Sequence, residues 1–138
     1  MGARRQAREC ALQMLYQIDI SGDPPRDVFQ SYFDEKRPVA EVRQFSSFLV
    51  NQAVTHRDRI DELIQAAAEN WRLERMAAVD RNILRLAVAE LLAEPDTPPS
   101  VVLNEAIEIA KRFSSTEAAH FINGVLDAVS KGLRQTEA

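Results

Sequence analysis

Cysteine is almost missing from this 138-residue chain: Cys10 stands alone, which excludes an internal disulfide. Only two histidines are present, His56 and His120, and they lie far apart, so the ligand set of a zinc site is lacking and no metal is expected. Glycine is scarce as well, at four residues, and none sits in a phosphate-cradling loop or a nucleophile elbow. Neither histidine has a serine or cysteine nucleophile near it in a recognisable motif. With 21 Asp and Glu some carboxylates become neighbours by chance, so no catalytic pair is assigned, and neither catalysis nor a cofactor is expected. No apolar run approaches the roughly 18 residues of a membrane span. Arg4, Arg5 and Arg8 are not followed by an unbroken apolar segment, so a signal peptide is not expected and the chain reads as cytoplasmic. An excess of positive charge is lacking too. The net charge is −4, so any nucleic-acid binding must come from a local patch.

What is present favours helix. Apolar residues make up 46% of the chain, enough for one core of useful size but not two, and a single domain over residues 1–138 is expected. From Arg4 to Ile20 no Pro or Gly interrupts, and Ala7, Ala11, Met14, Leu15 and Ile18 recur at helical spacing. Gly22-Asp23-Pro24-Pro25 stops that helix. A short helix around Asp27–Phe33 follows, then a turn at Lys36-Arg37-Pro38, then a helix from about Ala40 to Val54. Thr55 and Asp58 resemble a capping box for a helix bearing Ile60, Leu63 and Ile64. Val79 to Leu92 is apolar on nearly every face, the mark of a central helix packed on several sides. Pro95, Pro98 and Pro99 end it, and a helix from about Ser100 to Phe113 comes next. Ser114 and Glu117 have capping-box spacing before Phe121, Ile122, Val125, Leu126 and Val129, and Gly132 is the expected stop. About seven helices and no convincing strand predict an all-α bundle, read as one domain of two packed sub-bundles.

The first helix carries the chemistry. At 100° per residue, Arg5, Arg8, Leu12 and Tyr16 fall within about 80° of one another, opposite Ala7, Ala11, Met14 and Ile18. An Arg–Arg–apolar–aromatic stripe is therefore expected to point away from the core, with Arg4 adding charge near the helix end. Arginine offers charge, a phosphate fork and a stacking plane, and a tyrosine in line with it can stack an unpaired base. An ordinary solvated arginine run is the alternative, and spacing alone leaves it open.

Other constellations have plain explanations. Asp80, Arg81 and Arg85, with Glu74 and Arg75 before them, read either as a charged rim around a protein-binding face or as the solvated edge of a buried helix. Trp71 admits a stacking role, although a lone tryptophan in a bundle is more often core. Lys111 and Arg112 complement a helix C-terminus. Asn104-Glu105 and Asn123-Gly124 are explained by buried hydrogen bonds and a close helix contact. Cys10 reads as a small packed residue.

Four blocks, in order and spread over the whole chain, carry a resemblance: Arg4 to Tyr16, Val79 to Ala87 followed by Glu90-Leu91, Asn104 to Lys111, and Phe121 to Asp127. Together they resemble the NusB family. The resemblance implies two three-helix sub-bundles and a role in transcription antitermination. It further implies binding of the boxA element of ribosomal RNA leader transcripts with NusE, a small-subunit ribosomal protein, in an RNA polymerase elongation complex with other Nus factors. By position, Arg4, Arg5, Arg8 and Tyr16 match the family's RNA-binding N-terminal region, and Phe121 matches an aromatic implicated near RNA. Glu74 and Asp80 match acidic positions on the NusE-facing side. Gln6 departs from an otherwise arginine-rich run. Two rivals remain. The same fold precedes the catalytic domain of some ribosomal-RNA cytosine methyltransferases, against which stands the expectation that too little chain follows Gly132 for a cofactor-binding sheet. The other is a protein-only scaffold whose arginines meet acidic partners.

Overall fold

The computed structural model describes residues 2–137, with side chains through residue 135. Helix α1 spans Ala3–Ser21 and closes on Gly22, whose left-handed backbone (φ 75°) lets its N–H reach the Ile18 carbonyl. Helix α2, Pro25–Lys36, starts with proline in its first turn and ends at Arg37, which takes φ 47°. Helices α3 (Ala40–Thr55) and α4 (Arg57–Ala67) follow with only His56 between them. No side chain caps α4, so the capping box expected at Thr55 is not formed; the chain bends at His56 instead. A 3-10 turn at Leu73–Arg75 leads into α5 (Ala78–Ala93), then α6 (Pro99–Phe113) and α7 (Thr116–Glu137). Among the described residues there is no strand, and no helix is long and apolar enough to cross a membrane.

Two other terminal signals fall differently from expectation. Ser114 closes α6, its N–H on the Ala110 carbonyl, and the cap of α7 is Ser115, whose Oγ accepts from the Ala118 N–H at 3.0 Å. Gly132 lies inside α7 rather than past its end, because Leu133 still packs on the core and holds the helix there.

Helices α1, α2 and α3 pack as one group and α5, α6 and α7 as a second, with α4 laid on α5 and α7. Helix α5 joins them, touching α1 and α3 on one side and α4, α6 and α7 on the other. Every residue from Asn82 to Glu90 is accordingly buried, as the all-round apolar pattern requires. One continuous core runs from Ala11 through Leu49, Ile64 and Leu84 to Leu126 and Val129. Three polar side chains of α5 enter it (Asn82, Arg85 and Glu90), and each is met by a partner from another helix or its own turn.

Candidate nucleic-acid interface

Helix α1 is covered on two sides, by α3 and by α5, and this decides which of its polar residues reach solvent. The expected outward stripe is split. Arg5 and Tyr16 are on the surface, but Arg8 is 9% and Leu12 3% exposed. A helical wheel places Arg8 and Leu12 away from Ala7 and Met14 correctly; it cannot show that a second helix occupies that side. What lies there for Arg8 is Glu90 of α5, which accepts from Nε at 2.8 Å and from Nη2 at 2.6 Å. Burial opposes the charge on this guanidinium, but the Glu90 bonds and charge more than offset it, and its pKa is raised. The fork that would grip a phosphate is already used.

Arg5 is paired less firmly. Glu105 of α6 accepts from its Nε at 2.7 Å and Nη2 at 3.2 Å, yet the Arg5 side chain keeps 39% of its surface in water. The hydrogen bond from Arg5, outweighing partial burial, holds the Glu105 carboxyl below its ordinary value. Arg4 is freer still, with Glu94 3.9 Å away and its guanidinium carbon 3.9 Å from the Phe45 ring centre. Around Arg4 a cleft of about 300 Å³ runs between Glu41, Gln44, Phe45, Phe48 and Glu94. The helix end itself has no side-chain cap and no acidic residue in its first turn, although Glu41 and Glu94 line the cleft beside it.

Tyr16, about three turns further along, is 40% exposed. With Leu12, Gln13, Val79 and Phe113 it lines a shallow, mainly apolar cleft of about 210 Å³. Arg112 stands beside it, 5.3 Å from the Phe113 ring centre, its Nη1 bonded to both Glu9 oxygens at 2.9 and 3.0 Å. The lysine and arginine ending α6 were expected to serve the helix dipole; Arg112 also ties α6 to α1. Phe121 does not line this cleft. It is half-buried on α7 and meets Trp71 edge to face, centroids 6.0 Å apart. Trp71 itself is 60% exposed rather than core. It follows α4, beyond the last turn that packs inward.

The acidic pair sits near the start of α5. Glu74, in the 3-10 turn, is exposed and only loosely paired with Arg72 at 3.9 Å. Asp80 is half-buried, and its Oδ1 is buried without a hydrogen-bond partner. Arg81 and Arg85, by contrast, form neither a rim nor a solvated edge. Arg81 Nε donates to Asp19 at 2.7 Å, Asn82 Nδ2 donates to the same oxygen at 3.0 Å, and Arg85 grips Asp61 at 2.9 and 3.2 Å. Burial would raise the Asp19 pKa, but these donors and charges prevail and lower it. The network locks the end of α1 and the face of α4 onto α5.

The carboxylates that organise the site, Glu9, Glu90 and Glu105, were invisible as partners in the sequence. Glu90 is 82 residues from Arg8 and Glu105 is 100 from Arg5, so no local spacing connects them.

The NusB family model matches residues 5–131. A transcription antitermination protein NusB from Koribacter versatilis is 50% identical over 133 residues, covering 96% of this chain and 91% of its own. Among solved structures, antitermination factor NusB in a complex with NusE and double-stranded RNA superimposes with a TM-score of 0.87 at 32% identity, covering 96% of this chain and 98% of that one. NusB of T. maritima gives 0.85 at 34% identity, covering 93% and 90%. Similarity of this extent, over one helical fold from end to end, means that the chain belongs to the NusB family of transcription antitermination proteins, which are not enzymes.

Proposed function

We propose that the chain binds single-stranded boxA RNA of ribosomal RNA leader transcripts together with NusE, and so helps RNA polymerase and other Nus factors elongate past terminators in the cytoplasm. The observation that carries this reading is the exposed, uncapped start of α1, where Arg4 and Arg5 stand at a positive helix end in a chain of net charge −4. Both arginines keep part of their surface in water, so phosphates can compete with Glu94 and Glu105 for them. Arg8 serves the same site from beneath, pinning α1 to α5 through Glu90. Tyr16 and Phe121 supply rings for unpaired bases.

NusE is assigned to the neighbouring end of α5. Asp80 is half-buried there, part of its side chain still reaching the surface, and Glu74 is exposed close by in sequence. Val79, adjacent to Asp80, lines the Tyr16 cleft, so the two surfaces adjoin. The test is a titration of labelled boxA-type RNA against a scrambled strand, with and without NusE. Equal affinity for both strands, unchanged by NusE, refutes the reading.

A further inference from the structure

We propose that Trp71, Phe121 and the bare helix surface at Gly124 form a stacking site for one unpaired RNA base. The proposal rests on the RNA reading above and adds to it two residues, Trp71 and Gly124. Trp71 is the only tryptophan in the chain, and it is 60% exposed although a core was available to it. It is not loosely held. Gln65 fastens the segment around it, its Nε2 donating to the carbonyls of Ala68 (3.3 Å) and Trp71 (2.7 Å) while its Oε1 accepts from the Leu73 N–H at 3.0 Å. The indole is thus presented on a built turn, edge to face with Phe121 at an interplanar angle of 70°. Such a pair leaves ring surface free for a third flat group.

Gly124 is the second, independent sign. Glycine weakens a helix interior relative to alanine, and a close contact with another helix was the expected reason for tolerating it in α7. No such contact exists: a Cβ built at Gly124 meets nothing within 4 Å, and the residue has no positive φ that would require glycine. Among the described residues no side chain or backbone packs on it. On the helix it lies about one turn beyond Phe121 and roughly 60° round, beside the aromatic pair. An object arriving from outside can approach the backbone closely there. Rings, a bare backbone and nearby guanidinium groups are the recurring parts of single-strand sites. Two exposed arginines are close in sequence, Arg72 next to Trp71 and Arg75 four residues on.

Because Trp71 is the sole tryptophan, its emission reports on this site alone. The full chain is titrated with unlabelled boxA-type RNA while emission is followed, and with fluorescein-labelled RNA while anisotropy is followed. Emission should quench and saturate together with the anisotropy. Trp71→Ala should weaken binding about 5- to 150-fold, the range that loss of one base stack allows. Gly124→Ala should act in opposite directions: a melting temperature higher by about 2–3 °C, from helix propensity, with RNA binding weakened severalfold. A merely structural glycine gives no such opposition. Binding by anisotropy with unchanged Trp71 emission, or wild-type affinity in both variants, overturns the proposal and leaves the RNA reading intact. So does emission that responds to NusE and not to RNA. Absence of RNA binding in the wild type refutes both together. If Trp71→Ala fails to fold, Gly124→Ala and the wild-type emission decide the matter.

Discussion

Replacing Arg8 with alanine removes one member of an ion pair whose other member is enclosed. The Arg8 side chain is 10% exposed and that of Glu90 3%, and two short hydrogen bonds join them between α1 and α5. The alanine variant strands the Glu90 carboxyl among Leu12, Leu49, Leu86, Val102 and Ile109, which line the same small cavity. Removing one partner of such a pair costs about 3–5 kcal/mol, because an uncompensated charge or an unsatisfied acid remains. Total stability for a domain of this kind is about 5–15 kcal/mol, so the loss is a large share of it. In urea, with a slope of roughly 2 kcal/mol per molar, the midpoint should fall by about 1.5–2.5 M. The double variant Arg8→Met with Glu90→Leu tests the cause. Replacing both members with apolar groups removes the stranded charge, and stability should return to near the wild-type value or exceed it. A wild-type midpoint for Arg8→Ala would refute the burial and return Arg8 to the outward stripe. A double variant as unstable as the single one would show that the cost is lost packing, not lost charge.

Four other outcomes are expected. Arg4→Ala with Arg5→Ala should flatten the salt dependence of RNA binding by about 1.4 log units per log unit of salt, two phosphates at about 0.7 each, with little change in thermal stability; an unchanged slope removes these arginines from the interface. Tyr16→Ala should weaken binding by about 1–3 kcal/mol with the salt slope unaltered, measured by the same titrations. Charge reversal at Asp80 should weaken the NusE complex by about 1 kcal/mol or more in calorimetry while RNA binding by the free chain holds; normal NusE affinity excludes it. Acid should destabilise the fold through Asp19. Its folded pKa is lowered, so its contribution is fully present above the unfolded value of about 3.9 and is lost as pH falls through the folded one. Asp19→Asn should therefore be less stable at pH 7 and lose less on acidification to about pH 3, as denaturant midpoints at the two pH values would show.

Helix content, the order of the seven helices and the central place of α5 were legible in the sequence, because periodicity and proline or glycine punctuation act within a few residues. Residues Asn82 to Glu90 illustrate this: a segment apolar on all faces has to be enclosed, whatever encloses it. Most helix ends were legible to within a residue or two, but α2 runs three residues past Phe33 and α7 five past Gly132. Ser115 rather than Ser114 meets the first free N–H groups of α7, and Leu133 keeps the last helix running past Gly132. The arginines of α1 could be named as chemically apt, and α1 could be assigned one apolar face. Its second covered face could not be found, since that depends on where α5 packs. Tertiary structure alone decided that the Arg4 and Arg5 ion pairs lie partly in water while that of Arg8 with Glu90 is enclosed. It also decided that Trp71 stands outside, and that Gly124 faces no neighbour among the described residues. Each of these turns on groups far apart in the chain, and burial and electrostatic pairing are properties of that distant company.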